Sequence, residues 1–167
     1  MAEIQLHGRR GKGRVALCDD ADLALLSQHR WHLSRRGYPR TYWRKEGVRS
    51  ATLEMHLLLR DEKGGGYKDH INGDPLDNRR ANLRACTAQE NAWNRRAHRN
   101  SKTGVKGVSP HKGKFRATIH KSGAQIYLGT FTTVELAAAA YNGAAVALYG
   151  AFARLNPLPL EVAHASD

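Results

Sequence analysis

Acidic residues are scarce in this chain. Fifteen Asp and Glu stand against 27 Lys and Arg, a formal net charge of +12 over 167 residues. That imbalance disfavours basic partner surfaces and favours a polyanion, of which nucleic acid is the usual one. Aromatics make up only 7% of the chain and glycine occurs 16 times, so one large core is not expected, and the length suits one domain or two small ones. Cys18 and Cys86 are the only cysteines and no CxxC occurs. This excludes a disulfide framework and a zinc site built on thiolates, and both cysteines are expected as small buried hydrophobes in a reducing compartment. No apolar run approaches a membrane span, and the opening MAEIQLHGRRGKGR has no apolar signal region. The expected location is the cytoplasm, on nucleic acid and away from membranes.

The periodicity that is present divides the chain. Ile4 and Leu6 alternate and Val15 to Cys18 is apolar, which predicts two strands about the basic turn HGRRGKG. Asp19 or Asp20 is placed to cap a helix through Gln28, with Leu23 and Leu26 inward and Trp31 in the same small core. Tyr38, Thr41, Tyr42 and Trp43 read as strand residues interrupted by Gly37 and Pro39. LEMHLLL (53–59) predicts a short helix that leads into a flexible DEKGGG. INGDPLDN is turn-rich, Asn82 to Cys86 a short strand, and Thr87-x-x-Glu90 a capping box for a helix to about Arg96. Residues 97–104 read as the end of a basic, polar linker. Beyond it, Gly107–Ser109, Lys114–His120 and Gln125–Leu128 are strand-like. Thr132-x-x-Glu135 offers a second capping box, for a helix from Thr133 to Tyr149. Its expected packing face is Leu136, Ala140, Gly143, Ala144, Ala147 and Leu148, with Gly143 allowing close approach to a sheet. Gly150 ends it, and 157–167 is expected to be a flexible tail.

The densest chemistry lies in DHINGDPLDNRRANLRACTAQENAWN. Asp69-His70 is followed by Asn82 after eleven residues and Asn91 after eight more. Histidine titrates near neutrality, so His70 can take a proton from water. Asp69 offers a hard carboxylate and Asn91 an amide oxygen. Two protein ligands suit magnesium, which keeps several waters and takes phosphate oxygens; manganese is the other candidate. Neighbours on a strand point to opposite sides, so Asp69 and His70 need a strand end or bend. Set against this, DPLDNRRANL reads equally as a loop tied by its own Asp and Asn side chains, and any one of nine histidines is more often structural than catalytic.

That stretch resembles the HNH endonucleases of phage and homing type, with MHLLL similar to the family's Met-His-Arg-Leu run except for Leu57. The resemblance is dense over residues 55–94. It implies a ββα-metal fold with His70 as general base, Asp69 and Asn91 as metal ligands, and Asn82 as the middle asparagine that ties the loop and orients His70. Asn91 in place of a third histidine favours a hard cation over zinc or nickel. His56 either touches the scissile phosphate or orients the active site, or is simply a packed or surface histidine. Arg79, Arg80 and Arg84 are candidates to hold phosphates, Arg79 and Arg80 above all. Asp74, Asp77 and Asn78 read as turn caps.

Residues 101–156 hold seven Lys or Arg against the single acid Glu135. A sheet can enter the major groove and present alternate side chains to bases. Lys106, Lys112, Lys114, Arg116, Thr118, Gln125 and Tyr127 are the DNA-binding candidates, with a solvated sheet face as the plain alternative. From GVKGVSPHKGKFRATI through YLGTFTTVELAAAAYNGAAVALYG to ARLN, this segment resembles the AP2 domain. The resemblance implies a three-stranded antiparallel sheet on one helix, with Arg116 at a strand position that commonly contacts DNA.

The fold class expected is therefore α+β: a strand-rich N-terminal region (1–54) belonging to the nuclease domain, an HNH core (55–96), a linker (97–104), an AP2-like domain (105–156) and a tail (157–167). The expected function is metal-dependent, site-directed endonuclease action on double-stranded DNA, nicking to leave 5'-phosphate and 3'-hydroxyl ends, with no obligate protein partner. The competing readings are a DNA-binding regulator with an inactive HNH domain and an RNA-directed protein.

Overall fold

The N-terminal alternation builds an antiparallel hairpin in the computed structural model, which describes residues 1–43, 51–59 and 67–159. Strand β1 (Ala2–Gln5) pairs with β2 (Val15–Cys18), Ile4 opposite Ala16, and the basic turn between them contains a single helical turn, α1 (Gly8–Gly11). The helix expected over 19–28 is shorter. A 3-10 turn, Asp20–Asp22, precedes α2 (Leu23–Leu26). Leu26 is fully buried but Leu23 is 37% exposed, because one turn of helix aims only one of its leucines at the core. Trp31 is fully buried and its indole N–H donates to the Leu26 carbonyl at 2.8 Å, which satisfies the polar edge of an otherwise apolar plug.

Strands β3 (His32–Leu33), β4 (Pro39–Trp43) and β5 (Ala51–Glu54) form an antiparallel sheet in that order. The one-turn helix α3 (Met55–Leu58) follows directly. Met55 and Leu59 close a core with Ile4, Leu6, Ala16, Cys18, Leu26, Trp31 and Leu33. The DEKGGG stretch expected to be flexible lies outside the described residues. Strand β6 (Tyr67–His70) then pairs with β7 (Leu83–Cys86), and α4 (Ala88–Trp93) follows, giving a β-β-α succession. By contact, the chain divides into Met1–Ala88 and Gln89–Asp167, so α4 falls almost wholly in the second unit.

The second unit is a three-stranded antiparallel sheet, β8 (Val108–His111), β9 (Lys114–Lys121) and β10 (Ala124–Phe131), with β9 central. Helix α5 (Val134–Tyr149) packs on it through Tyr141, Ala145 and Tyr149 against Ile119, and through Ala137 against Val108 and Ala117. Two expectations are corrected here. The N-cap is Thr133, whose hydroxyl accepts from the Leu136 N–H at 3.2 Å, one residue later than the Thr132 capping box. The buried face is Ala137, Ala138, Tyr141, Ala145 and Tyr149, while Leu136 is 42% exposed and a Cβ at Gly143 would meet nothing within 4 Å. Close approach belongs instead to Gly107, where a Cβ would lie 2.1 Å from the Tyr141 ring.

The chain after α5 is tied down as far as Asn156. Asn156 Oδ1 accepts from the Lys106 N–H at 2.8 Å and its Nδ2 donates to the Lys106 carbonyl at 3.0 Å. Asn142 donates to the Asn156 carbonyl and accepts from its N–H. The part of the expected flexible tail beyond residue 159 lies outside the described residues.

Candidate active site

Asp69 and His70 occupy the last two positions of β6, where the chain leaves the ladder for the 71–78 loop. Both are buried. The turn that follows is held by its own polar side chains. Asn82 Nδ2 donates to Asn72 Oδ1 and to the Asp77 carbonyl, and Asn82 Oδ1 accepts from the Asn72 N–H. The Asn82 carbonyl also accepts from the Ile71 N–H at 2.9 Å. Asn82 thus ties the loop.

The side chain that touches His70 is Asn78, read from sequence only as a turn cap. His70 Nε2 lies 3.3 Å from Asn78 Oδ1. Asn78 is fully buried, and its Nδ2 donates to the Pro75 carbonyl at 3.2 Å. The Pro75 carbonyl can only accept, so the amide presents its oxygen to the imidazole. That oxygen in turn needs a donor, which assigns the proton to Nε2 and the lone pair of neutral His70 to Nδ1. Burial lowers the His70 pKa below its ordinary value, against the opposing pull of the Asn78 bond and the Asp69, Asp74 and Asp77 charges. Neutral imidazole is therefore the form this environment favours.

Two further rings enclose His70. The His56 ring stands edge-on, with centroids 5.0 Å apart. Tyr38 lies 5.4 Å from His56 and 5.8 Å from His70. His56 is buried, not on the surface. Its Nε2 lies 3.7 Å from a Glu54 carboxylate oxygen, and burial pushes the Glu54 carboxyl up while Arg36 and Arg40 pull it down. Tyr38 carried no signal as a site residue, because the turn that places it at β4 is not legible from its own neighbours.

The three arginines proposed for phosphates each face a carboxylate. Arg79 forks onto Asp77, Nε to Oδ1 and Nη2 to Oδ2, both at 2.7 Å. That contact holds the Asp77 carboxyl below its usual range. Arg80 forks onto Asp22 at 2.9 and 2.7 Å, and its N–H donates to Asp19. Arg84 lies opposite Asp69 in the β6–β7 ladder and donates from Nε and Nη2 to Oδ2, at 3.2 and 2.9 Å. The loop reading and the catalytic reading thus coexist: the Asp and Arg side chains of 74–80 build the loop that presents His70.

Among the described residues, no group of three His, Cys, Asp or Glu side chains gathers into a metal site. Taken singly, the Asp69 carboxylate and the Asn91 amide oxygen are hard donors of the kind a water-retaining cation takes. Asn91 is half-buried on α4.

In the second unit, most of the DNA-binding candidates share one sheet face. Ala117 and Ile119 of β9 turn to the helix and are buried, so Lys114, Arg116 and Thr118 alternate to the other side. Across the ladder Thr118 pairs with Tyr127, His120 with Gln125 and Arg116 with Ser109 and Thr130. Tyr127 is 61% exposed and its hydroxyl bonds Thr130. Gln125 reaches toward Thr118, and Arg116 Nη2 lies 2.8 Å from a His111 ring nitrogen. Lys112 is exposed in the β8–β9 turn with a positive φ of 47°. Lys106 is placed differently: its ammonium donates to the Trp93 carbonyl, and burial, with Arg154 and Arg95 nearby, pushes its pKa down to about 8. It lines a cavity of about 400 Å³ with Trp93, Tyr141 and Tyr149, and there the Trp93 and Tyr149 rings stack 4.6 Å apart.

The family model for HNH endonuclease matches residues 69–93, the span from Asp69 through α4. An uncharacterised HNH endonuclease of Acanthamoeba polyphaga mimivirus is 32% identical over 151 residues, 89% of this chain and 78% of that relative. Protein 3.8 of Escherichia phage T7 is 35% identical over 94 residues, 55% of this chain and 77% of that protein.

Proposed function

Since the chain belongs to the HNH endonuclease family, we propose that it is a metal-dependent endonuclease that nicks duplex DNA. The observation that carries this reading is the buried His70, with its Nε2 on Asn78 and its neutral form favoured by burial. His70 Nδ1 takes a proton from water, and the water oxygen attacks phosphorus as the bond to the 3' oxygen breaks. The products are a 5'-phosphate and a 3'-hydroxyl. Asp69 and Asn91 would hold a divalent ion, magnesium by preference or manganese, which when bound stabilises charge on the phosphate and the departing oxygen. Asn82 and the Asp77–Arg79 pair hold the loop, and His56 and Tyr38 wall the imidazole from bulk water. A single active site per chain suits cleavage of one strand.

The second unit acts in this reading as an AP2-like DNA-binding module. The open face carrying Lys114, Arg116, Thr118, Gln125 and Tyr127 alternates cationic and hydrogen-bonding side chains, which suits phosphate contacts for affinity and base contacts for preference. The test is supercoiled plasmid with purified protein in magnesium or manganese against EDTA, with His70→Ala alongside. Metal-dependent nicked circles that the variant does not form support the proposal. Tight duplex binding with no cutting across a library of target sites would favour the regulator reading.

A further inference from the structure

Three arginines at or beside this loop, Arg79, Arg80 and Arg84, each contact a carboxylate. Arg79 and Arg80 each place one nitrogen on each oxygen of their partner, the paired-fork arrangement that makes a guanidinium–carboxylate bond strong and directional. Arg84 donates from both Nε and Nη2 to Oδ2 of Asp69. The pair is well shielded, with side-chain exposures of 16% and 8%, and the β6–β7 register sets the two residues directly across from each other. Arg84 therefore sits on the carboxylate assigned to the metal.

A cation that used Asp69 would face the guanidinium charge a few ångströms away, in a site where burial weakens screening. It would also compete with two N–H donors for the Oδ2 lone pairs. A phosphate diester is the natural alternative partner for that guanidinium, because its oxygens match the planar fork as a carboxylate does.

We propose that Arg84 is a positioning residue that holds Asp69 in the free protein and yields it when a duplex phosphate takes the guanidinium, so that uptake of the divalent ion and uptake of DNA are coupled. This rests on the reading of Asp69 as a metal ligand. Linkage makes the coupling reciprocal: DNA raises metal affinity by the factor by which metal raises DNA affinity. The protein would then be kept from loading its ion, and from hydrolytic chemistry, away from a substrate.

The test is Mn2+ affinity of the full chain by electron paramagnetic resonance, with and without a short duplex, in a His70→Ala background that leaves the DNA intact and with a duplex-only control. The expected result is weak binding alone and tightening by about 5–150-fold with duplex. Arg84→Gln should tighten binding to the free protein roughly tenfold and shrink the coupling by the same factor. Unchanged Mn2+ affinity in a folded Arg84→Gln protein, verified by circular dichroism, overturns the inference. If that variant does not fold, Arg84→Lys is read instead, since it keeps the charge but loses the fork; coupling equal to that of the parent overturns the inference. Asp69→Asn separates the two levels of the argument. Mn2+ binding that survives it overturns the ligand assignment itself, whereas binding lost in Asp69→Asn but unmoved by either Arg84 variant overturns only the role of Arg84.

Discussion

Asn78 sets the tautomer of His70. Its amide is oriented by the Pro75 carbonyl and meets Nε2 at 3.3 Å, which leaves Nδ1 as the basic nitrogen. Asn78→Ala is expected to lower the cleavage rate by at least about tenfold, the scale at which a group that orients a catalytic ligand acts. Nitrogen-15 chemical shifts of the imidazole should move from an Nε2–H pattern toward a mixture of tautomers. A full loss of rate with the tautomer unchanged would show that Asn78 acts only by holding the loop.

Acid should destabilise the metal-free protein in two separable ranges. The pKa of His70 is lowered in the fold, so the unfolded chain binds its proton more readily. The stability contributed by the neutral buried ring is complete above the ordinary histidine value and is lost as pH falls through the lower folded value. Asp77 is also lowered, and its contribution is present above the ordinary carboxylate value and lost as pH falls further, through its own folded value. Urea midpoints measured in EDTA across pH should show both losses. His70→Asn should remove the first and leave the second.

Two glycines should respond oppositely to alanine. Gly107 has φ +74°, and an added Cβ would fall 2.1 Å from Tyr141 and 2.7 Å from the Thr118 carbonyl oxygen. Gly107→Ala is expected to cost more than about 3 kcal/mol, since both backbone strain and overpacking act. Gly143 lies mid-helix with open space at Cβ, so Gly143→Ala should stabilise by about 0.5–1 kcal/mol through helix propensity. Thermal melts of the full chain would check both.

Lys106 and Lys114 should separate stability from DNA binding. Lys106 is pushed down to about 8, so the fold disfavours its charged form. Stability rises with pH between that value and the ordinary lysine value, because the unfolded chain binds the extra proton there. Lys106→Met should therefore stabilise most below pH 8 and least above about pH 10.4, with little change in the salt dependence of DNA binding. Lys114→Ala should leave stability within about 0.5 kcal/mol and lower the salt slope by about one. A reversal of these two effects would place the nucleic-acid surface elsewhere.

What sequence made legible was local. The end-of-strand placement of Asp69 and His70 follows from alternation plus the turn residues after them, and Asn82 was read as a loop tie from the family resemblance of its motif. Trp31 was placed in the core by size alone. The role of Asn78 was hidden, since an amide in a turn looks the same whether it caps the turn or faces an imidazole; the difference lies in the fold of the loop. The partners of the arginines were hidden for a related reason: the carboxylate held by Arg80 is Asp22, 58 positions upstream, and no local pattern signals such a partner. The face of α5 was rotated by about a residue because alanine occupies positions 137–140, 144, 145 and 147, so periodicity has little contrast to read. Two adjacent threonines likewise shifted the cap from Thr133 to Thr132.

The loop that presents His70 is stitched to the first hairpin. Leu17 donates its N–H to the Leu76 carbonyl and accepts from the Asn78 N–H, each at 2.8 Å, and Asp19 and Asp22 anchor Arg80. The signature span 69–93 is consequently not a portable cassette. Grafted onto another scaffold without residues 1–22, it would lose the template on which Asn78 is laid, and with it the alignment of the imidazole. A minimal engineered nuclease drawn from this chain has to begin at its first strand.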